Sequence, residues 1–92
     1  MEPTLPTIHL GGTGAATLEA EYQAVRLAVA AAADKLAAAT INLRDFYPQH
    51  PDNWDRAKAE RAEMLGALER VEAFAEAWET HAAEQRRIRE GR

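Results

Sequence analysis

The positions of proline and glycine leave this chain few ways to fold. Its four prolines stand at 3, 6, 48 and 51, and its five glycines at 11, 12, 14, 66 and 91. Between residues 15 and 47 neither occurs, and between 52 and 90 only Gly66 does. Each proline removes a backbone donor and holds the residue before it in extended geometry. Two long segments are therefore free to be helical, and the short ones between and before them are not. In the first segment apolar side chains recur at Leu18, Tyr22, Val25, Val29, Ala32, Leu36 and Ala39, in alternating steps of four and three. That spacing predicts a helix over 15–39 with one buried seam. The second predicts a helix over 53–89 whose seam reads Trp54, Ala57, Arg61, Met64, Leu68, Val71, Ala75, Trp78, Ala82 and Gln85, widened by Leu65 and Phe74. Arg61 is its one charged intruder.

Residues 1–14 read as an extended arm that closes in a glycine turn, with Thr13 as the natural N-cap of the first helix and Thr17 as the alternative. Residues 40–52 form a structured loop rather than a linker, because they carry Ile41, Leu43, Phe46 and Tyr47. Asp52 or Asn53 is placed to cap the second helix. The fold class expected is all-α: an antiparallel two-helix hairpin over 15–92 with an extended N-terminal arm. At 1.5 Å per residue the helices measure about 38 and 55 Å. Residues 53–77 would then cover the first helix, and 78–90 would overhang it beside the arm. Trp78, Ala82 and Ile88 would there offer apolar surface to Leu5, Ile8 and Leu10.

Composition bears on the size of the assembly. Of 43 apolar residues 21 are alanine, which leaves 22 large apolar side chains, and a lone domain this small buries only roughly 60% of its unfolded surface. Two helices cannot enclose both seams, and the alanines at 28, 30–33 and 37–39 offer a smooth face to another helix. Alanine also follows from helix propensity alone, but the shortage of large core residues favours a helical-bundle homo-oligomer, with a dimer as the minimum. The absence of cysteine excludes disulfides and thiolate zinc sites. No uncharged apolar run of membrane-spanning length occurs and the N-terminus lacks the basic start of a signal peptide, so a soluble, cytoplasmic protein is expected. A net charge of −4 and a pI near 5.3 disfavour nucleic acid as a partner.

Two motifs bear on binding. The glycine turn precedes a helix, so backbone N–H groups at Gly11, Gly12 and Thr13 are placed to receive an anion. No lysine follows as in a P-loop, and a plain flexible turn explains the same residues. In the loop 42–48, Arg44 is suited to clamping a phosphate and Phe46 or Tyr47 to stacking a base. Equally, Asp45 pairs with Arg44 and both rings plug the end of the hairpin. The stripe Glu69, Glu72, Glu76 and Glu79 reads as a solvated face, and the arginines at 86, 87, 89 and 92 as helix-dipole partners. His9, His50 and His81 have no metal-ligand spacing, and serine and cysteine are both missing. These features predict a protein that is not an enzyme, with no catalytic residues, metal or cofactor. The turn and the loop sit at opposite ends of the first helix, so they would share a small ligand only across an antiparallel neighbour. That neighbour would bring its Arg44 beside Gly12, Thr13 and Trp78.

The arm Ile8-His9-Leu10-Gly11-Gly12-Thr13, the helix with Tyr22, and the loop Asn42-Leu43-Arg44-Asp45-Phe46-Tyr47-Pro48 before a long helix resemble a group of small phage-encoded helical-hairpin proteins. That group opens with an Ile-His-Leu-Asn-Gly-Thr arm and carries an Asn-Gly-Arg-Asp-Tyr-Tyr-Pro loop. The likeness runs along the whole chain, but its specific part is about a dozen positions. Gly11 replaces Asn, Leu43 replaces Gly and Phe46 replaces Tyr. The resemblance implies a phage setting and, by analogy, a small oligomer that counters host defence by sequestering a cyclic or ADP-ribose-type nucleotide signal. The alternatives are a protein-binding inhibitor or adaptor aimed at a host defence protein, and a virion assembly component.

Overall fold

The computed structural model describes residues 2–9 and 13–91. Helix α1 spans Ala15–Ala38 and helix α2 spans Asp52–Glu90. They pack antiparallel as a hairpin 66 Å long and 22 by 18 Å across. Among the described residues there is no strand, and no helix is long and apolar enough to cross a membrane.

The helix starts differ from those expected. Gly14, extended at φ −65° and ψ 150°, holds the cap position of α1, and its carbonyl accepts the Leu18 N–H at 3.1 Å. Thr13 therefore lies one residue too early to cap, and no side chain caps α1. At α2 the cap position belongs to Pro51, whose ring presets a helical φ of −53°. Asp52 and Asn53 fall inside the first turn instead. Asp52 and Asp55 then face the positive end of the helix dipole. The Asp52 and Asn53 N–H groups bond back to His50, at Nδ1 and the carbonyl oxygen.

The pairing of the helices reverses the expected overhang. Arg26 pairs with Glu79, and Glu19 pairs with Arg86. The C-terminal half of α2 thus lies along α1, and its first turns project beyond α1. The reason is the loop, which turns back along α2 rather than closing tightly. Phe46 packs on Trp54 with ring centroids 5.7 Å apart, and Lys58 Nζ sits 5.1 Å from the Trp54 ring. The loop covers the projecting turns.

The seam follows the prediction at most positions and departs from it on one flank. Leu18, Tyr22, Val29 and Leu36 on α1 and Trp54, Ala57, Arg61, Leu68, Ala75, Trp78, Ala82 and Gln85 on α2 are half-buried or buried. Val25 is 41% exposed, Met64 51% and Val71 44%, and Ala32 and Ala39 are exposed too. Arg26 and Ala33 on α1, and Leu65 and Glu72 on α2, are half-buried beside them. At those points the contact face reaches to the next residue, about 100° round the axis. Arg26 and Glu79 satisfy each other across that flank, so burying them costs little. Glu72 and Glu79 accordingly leave the solvated stripe in which the acidic spacing had put them. The fully buried core is small-sided, consisting of Ala15, Ala75 and Ala82.

The intruder Arg61 closes the end of α1. Its Nη2 donates to the carbonyls of Leu36 at 2.7 Å, Ala37 at 2.5 Å and Ala39 at 3.1 Å. The carbonyls of Ala37 and Ala39 are acceptors that a helix C-terminus leaves unpaired, and that of Leu36 also accepts the Ala39 N–H at 3.2 Å.

The arm docks on α2 along the expected stretch and the turn or two before it, through other side chains than expected. Pro3 lines a hollow with Ala73 and Phe74, and Leu5 one with Ala77 and His81. His81 Nε2–H donates to the Pro6 carbonyl at 2.8 Å, and Arg89 Nη2 to the Ile8 carbonyl at 3.0 Å. Ala82 is buried in the helix seam and Ile88 stays exposed. Leu10 lies outside the described residues.

Candidate functional site

The loop 42–47 is built by one side chain. Asn42 leaves α1 in extended geometry, and its Oδ1 accepts the Arg44 N–H at 2.9 Å. This bend starts a 3₁₀ turn over Leu43–Phe46, continued by Asp45 N–H to Asn42 O at 3.0 Å and Tyr47 N–H to Arg44 O at 3.4 Å. In a 3₁₀ turn residues three apart eclipse each other. Leu43 and Phe46 share one face, and Phe46 anchors it on Trp54. Arg44 and Tyr47 share the adjacent face, and both are exposed, Tyr47 at 67%.

Among the described residues Arg44 has no ion pair or side-chain hydrogen bond. Asp45 does not pair with it. Four other arginines are committed: Arg26 to Glu79, Arg61 to the α1 carbonyls, Arg86 to Glu19 and Glu90, and Arg89 to Ile8. Arg56, Arg70 and Arg87 stand on α2 without such a partner among the described residues, and Arg44 differs from them in sharing its face with an exposed aromatic ring. The hydrogen bond from Arg86 holds the Glu19 carboxyl below the usual glutamate range. The bond to Glu79 raises the Arg26 guanidinium, and those to Glu19 and Glu90 raise Arg86. These pairs fasten the hairpin. The Arg44–Tyr47 face is left to solvent, so its guanidinium and ring are both available to a phosphate and a planar ring system.

The loop candidates therefore divide, with Phe46 as the anchor and Arg44 and Tyr47 as the presented pair. Trp78 is placed far from them, stacked on Tyr22 at 4.7 Å and 20° and tilted against Phe74 at 6.1 Å. Its indole N–H is buried without a hydrogen-bond partner among the described residues. Thr13 is exposed at the other end of α1, so within one chain it is not brought together with Arg44. Gly11 and Gly12 lie outside the described residues. Among the described residues no group of three metal-ligating side chains is arranged to hold a metal ion.

In the sequence Asn42 reads only as the exit of the first helix and the start of the loop motif, Arg61 as a charged intruder in the seam, and His81 as a histidine without metal-ligand spacing. A polar residue at a helix exit, two before an arginine that begins a turn, is the signal for Asn42. For Arg61 it is a lone cation in an apolar seam facing the last turn of the other helix. No protein-family model matches the chain, and no curated protein or solved structure matches it either.

Proposed function

We propose that the chain is a non-enzymatic binding protein that works as a homo-oligomer and takes an anionic, nucleotide-type ligand on the Arg44–Tyr47 face. The guanidinium engages phosphate in two parallel hydrogen bonds, and the phenol ring stacks on the base or closes over the sugar. The observation that carries this reading is the shared face of the 3₁₀ turn, with an unpaired guanidinium and an exposed aromatic ring anchored from behind by Phe46 on Trp54. The resemblance of arm and loop to small phage hairpin proteins makes a cyclic or ADP-ribose-type signal of bacterial defence the ligand class, and sequestration in the host cytoplasm the mode of action.

Thermal melting against a panel of nucleotides tests the reading. A ligand at 100 times its dissociation constant adds about 2.7 kcal/mol of stability, a shift of roughly 10 °C or more for a domain this size. We expect at least one cyclic or ADP-ribose-type nucleotide to produce it, and adenosine, which has no phosphate, to produce none. A panel without any shift at millimolar nucleotide would overturn the proposal and leave a protein partner as the alternative.

A further inference from the structure

The two flanks of the hairpin are unlike. On one, Arg26 meets Glu79 and Glu19 meets Arg86. One residue before Arg26 stands Val25, and one before Glu72 stands Val71. A step back of one residue turns each side chain about 100° round its helix, and because the helices run antiparallel both turn to the same side. That opposite flank carries Val25 and Ala32 from α1 and Met64, Ala67 and Val71 from α2, none of them charged. Val71 and Ala67 line an apolar hollow there with Phe74, bordered by Arg70. Toward the arm the flank is closed by the Tyr22, Phe74 and Trp78 rings; toward the loop its apolar side chains stand open.

We infer that this flank is the surface on which a second copy of the chain docks, side by side, to make a four-helix assembly. The area supports that occupant. The chain exposes 6810 Å², whereas a compact monomer of its mass exposes roughly 5,300 Å². The excess, about 1,500 Å² by that scaling, belongs to the elongated hairpin as a whole and is large enough to include the roughly 800 Å² that each partner hides in a standard stable interface. No large side chain is fully buried among the described residues, so the hairpin lacks the closed core that a second apolar flank would complete. The alanines at 28, 32 and 67 let helices approach closely, and the uncharged strip imposes no desolvation of charge. Self-association of this kind rests on the proposed oligomer and names its contact surface.

The chain has no cysteine, so a single introduced thiol reports its own surroundings. Met64→Cys and Val71→Cys probe the flank, and Leu27→Cys probes an equally exposed apolar position, 54% open, on another side of α1. Maleimide labelling should be at least tenfold slower at 64 and 71 than at 27 at high protein concentration, with the difference vanishing on dilution. Sedimentation equilibrium of the unmodified chain is run alongside. A mass of 10.2 kDa with full helicity at all concentrations would overturn both the oligomer and the interface. An oligomer in which 64 and 71 label as fast as 27 would overturn the interface alone. Val71→Asp should raise the dissociation constant at least 100-fold while Leu27→Asp leaves it within threefold, and the reverse order would likewise reject the flank.

Discussion

Trp78→Ala should lower the unfolding free energy by about 3–5 kcal/mol, the range for truncating a packed aromatic residue, measured by denaturant titration at fixed protein concentration. The half-buried ring stacks on Tyr22 and leans on Phe74, so its removal opens a void between α1 and α2 beside the fully buried alanines. Trp78→Phe should lose less, within about 2 kcal/mol of the parent, because a smaller void is left when a ring remains. Phenylalanine keeps a stacking ring and deletes a buried N–H that has no acceptor among the described residues, a group that costs about 1–3 kcal/mol to leave unpaired. A loss below 1 kcal/mol for alanine, or equal losses for both variants, would contradict the intramolecular role.

Arg61→Ala should cost about 1.5–3 kcal/mol, the worth of hydrogen bonds made by a charged donor. Three carbonyls at the end of α1 share its guanidinium, and without it the last turn frays. Hydrogen exchange should accelerate first in the turn that ends at Ala38. Arg56→Ala, at an exposed position of α2, is the control and should stay within about 0.5 kcal/mol. Equal costs at 56 and 61 would mean that the cap adds nothing.

Helix existence was legible in the sequence because it follows from where proline and glycine are absent, and helix extent follows to within a residue. Most of the seam was legible too, Leu18, Tyr22, Val29, Leu36, Leu68, Ala75 and Ala82 among it; its flank was not. Hydrophobicity puts Val25 and Val71 inside, whereas the chain places Arg26 and Glu79 on the contact side, because opposite charges from both helices satisfy each other there. That pairing joins residues 53 positions apart, which no local pattern reports. The direction of the overhang failed for a related reason, since loop length alone does not say whether the loop closes tightly or lies back on α2, as the Phe46–Trp54 contact makes it do. Within the loop, residue types pointed to Arg44, Phe46 and Tyr47 together. Only the 3₁₀ periodicity set by Asn42 separates the anchor from the presented pair.

The account stands on that separation: the hairpin holds the loop, and the Arg44–Tyr47 face is spared from holding the hairpin. The Arg44→Ala, Tyr47→Ala double variant tests it through paired measurements of melting temperature and of the nucleotide-induced melting shift. We predict a parent-like melt without ligand, within about 0.5 kcal/mol as for other surface changes, and complete loss of the ligand-induced shift. A variant that unfolds, or one that keeps the full shift, would contradict it.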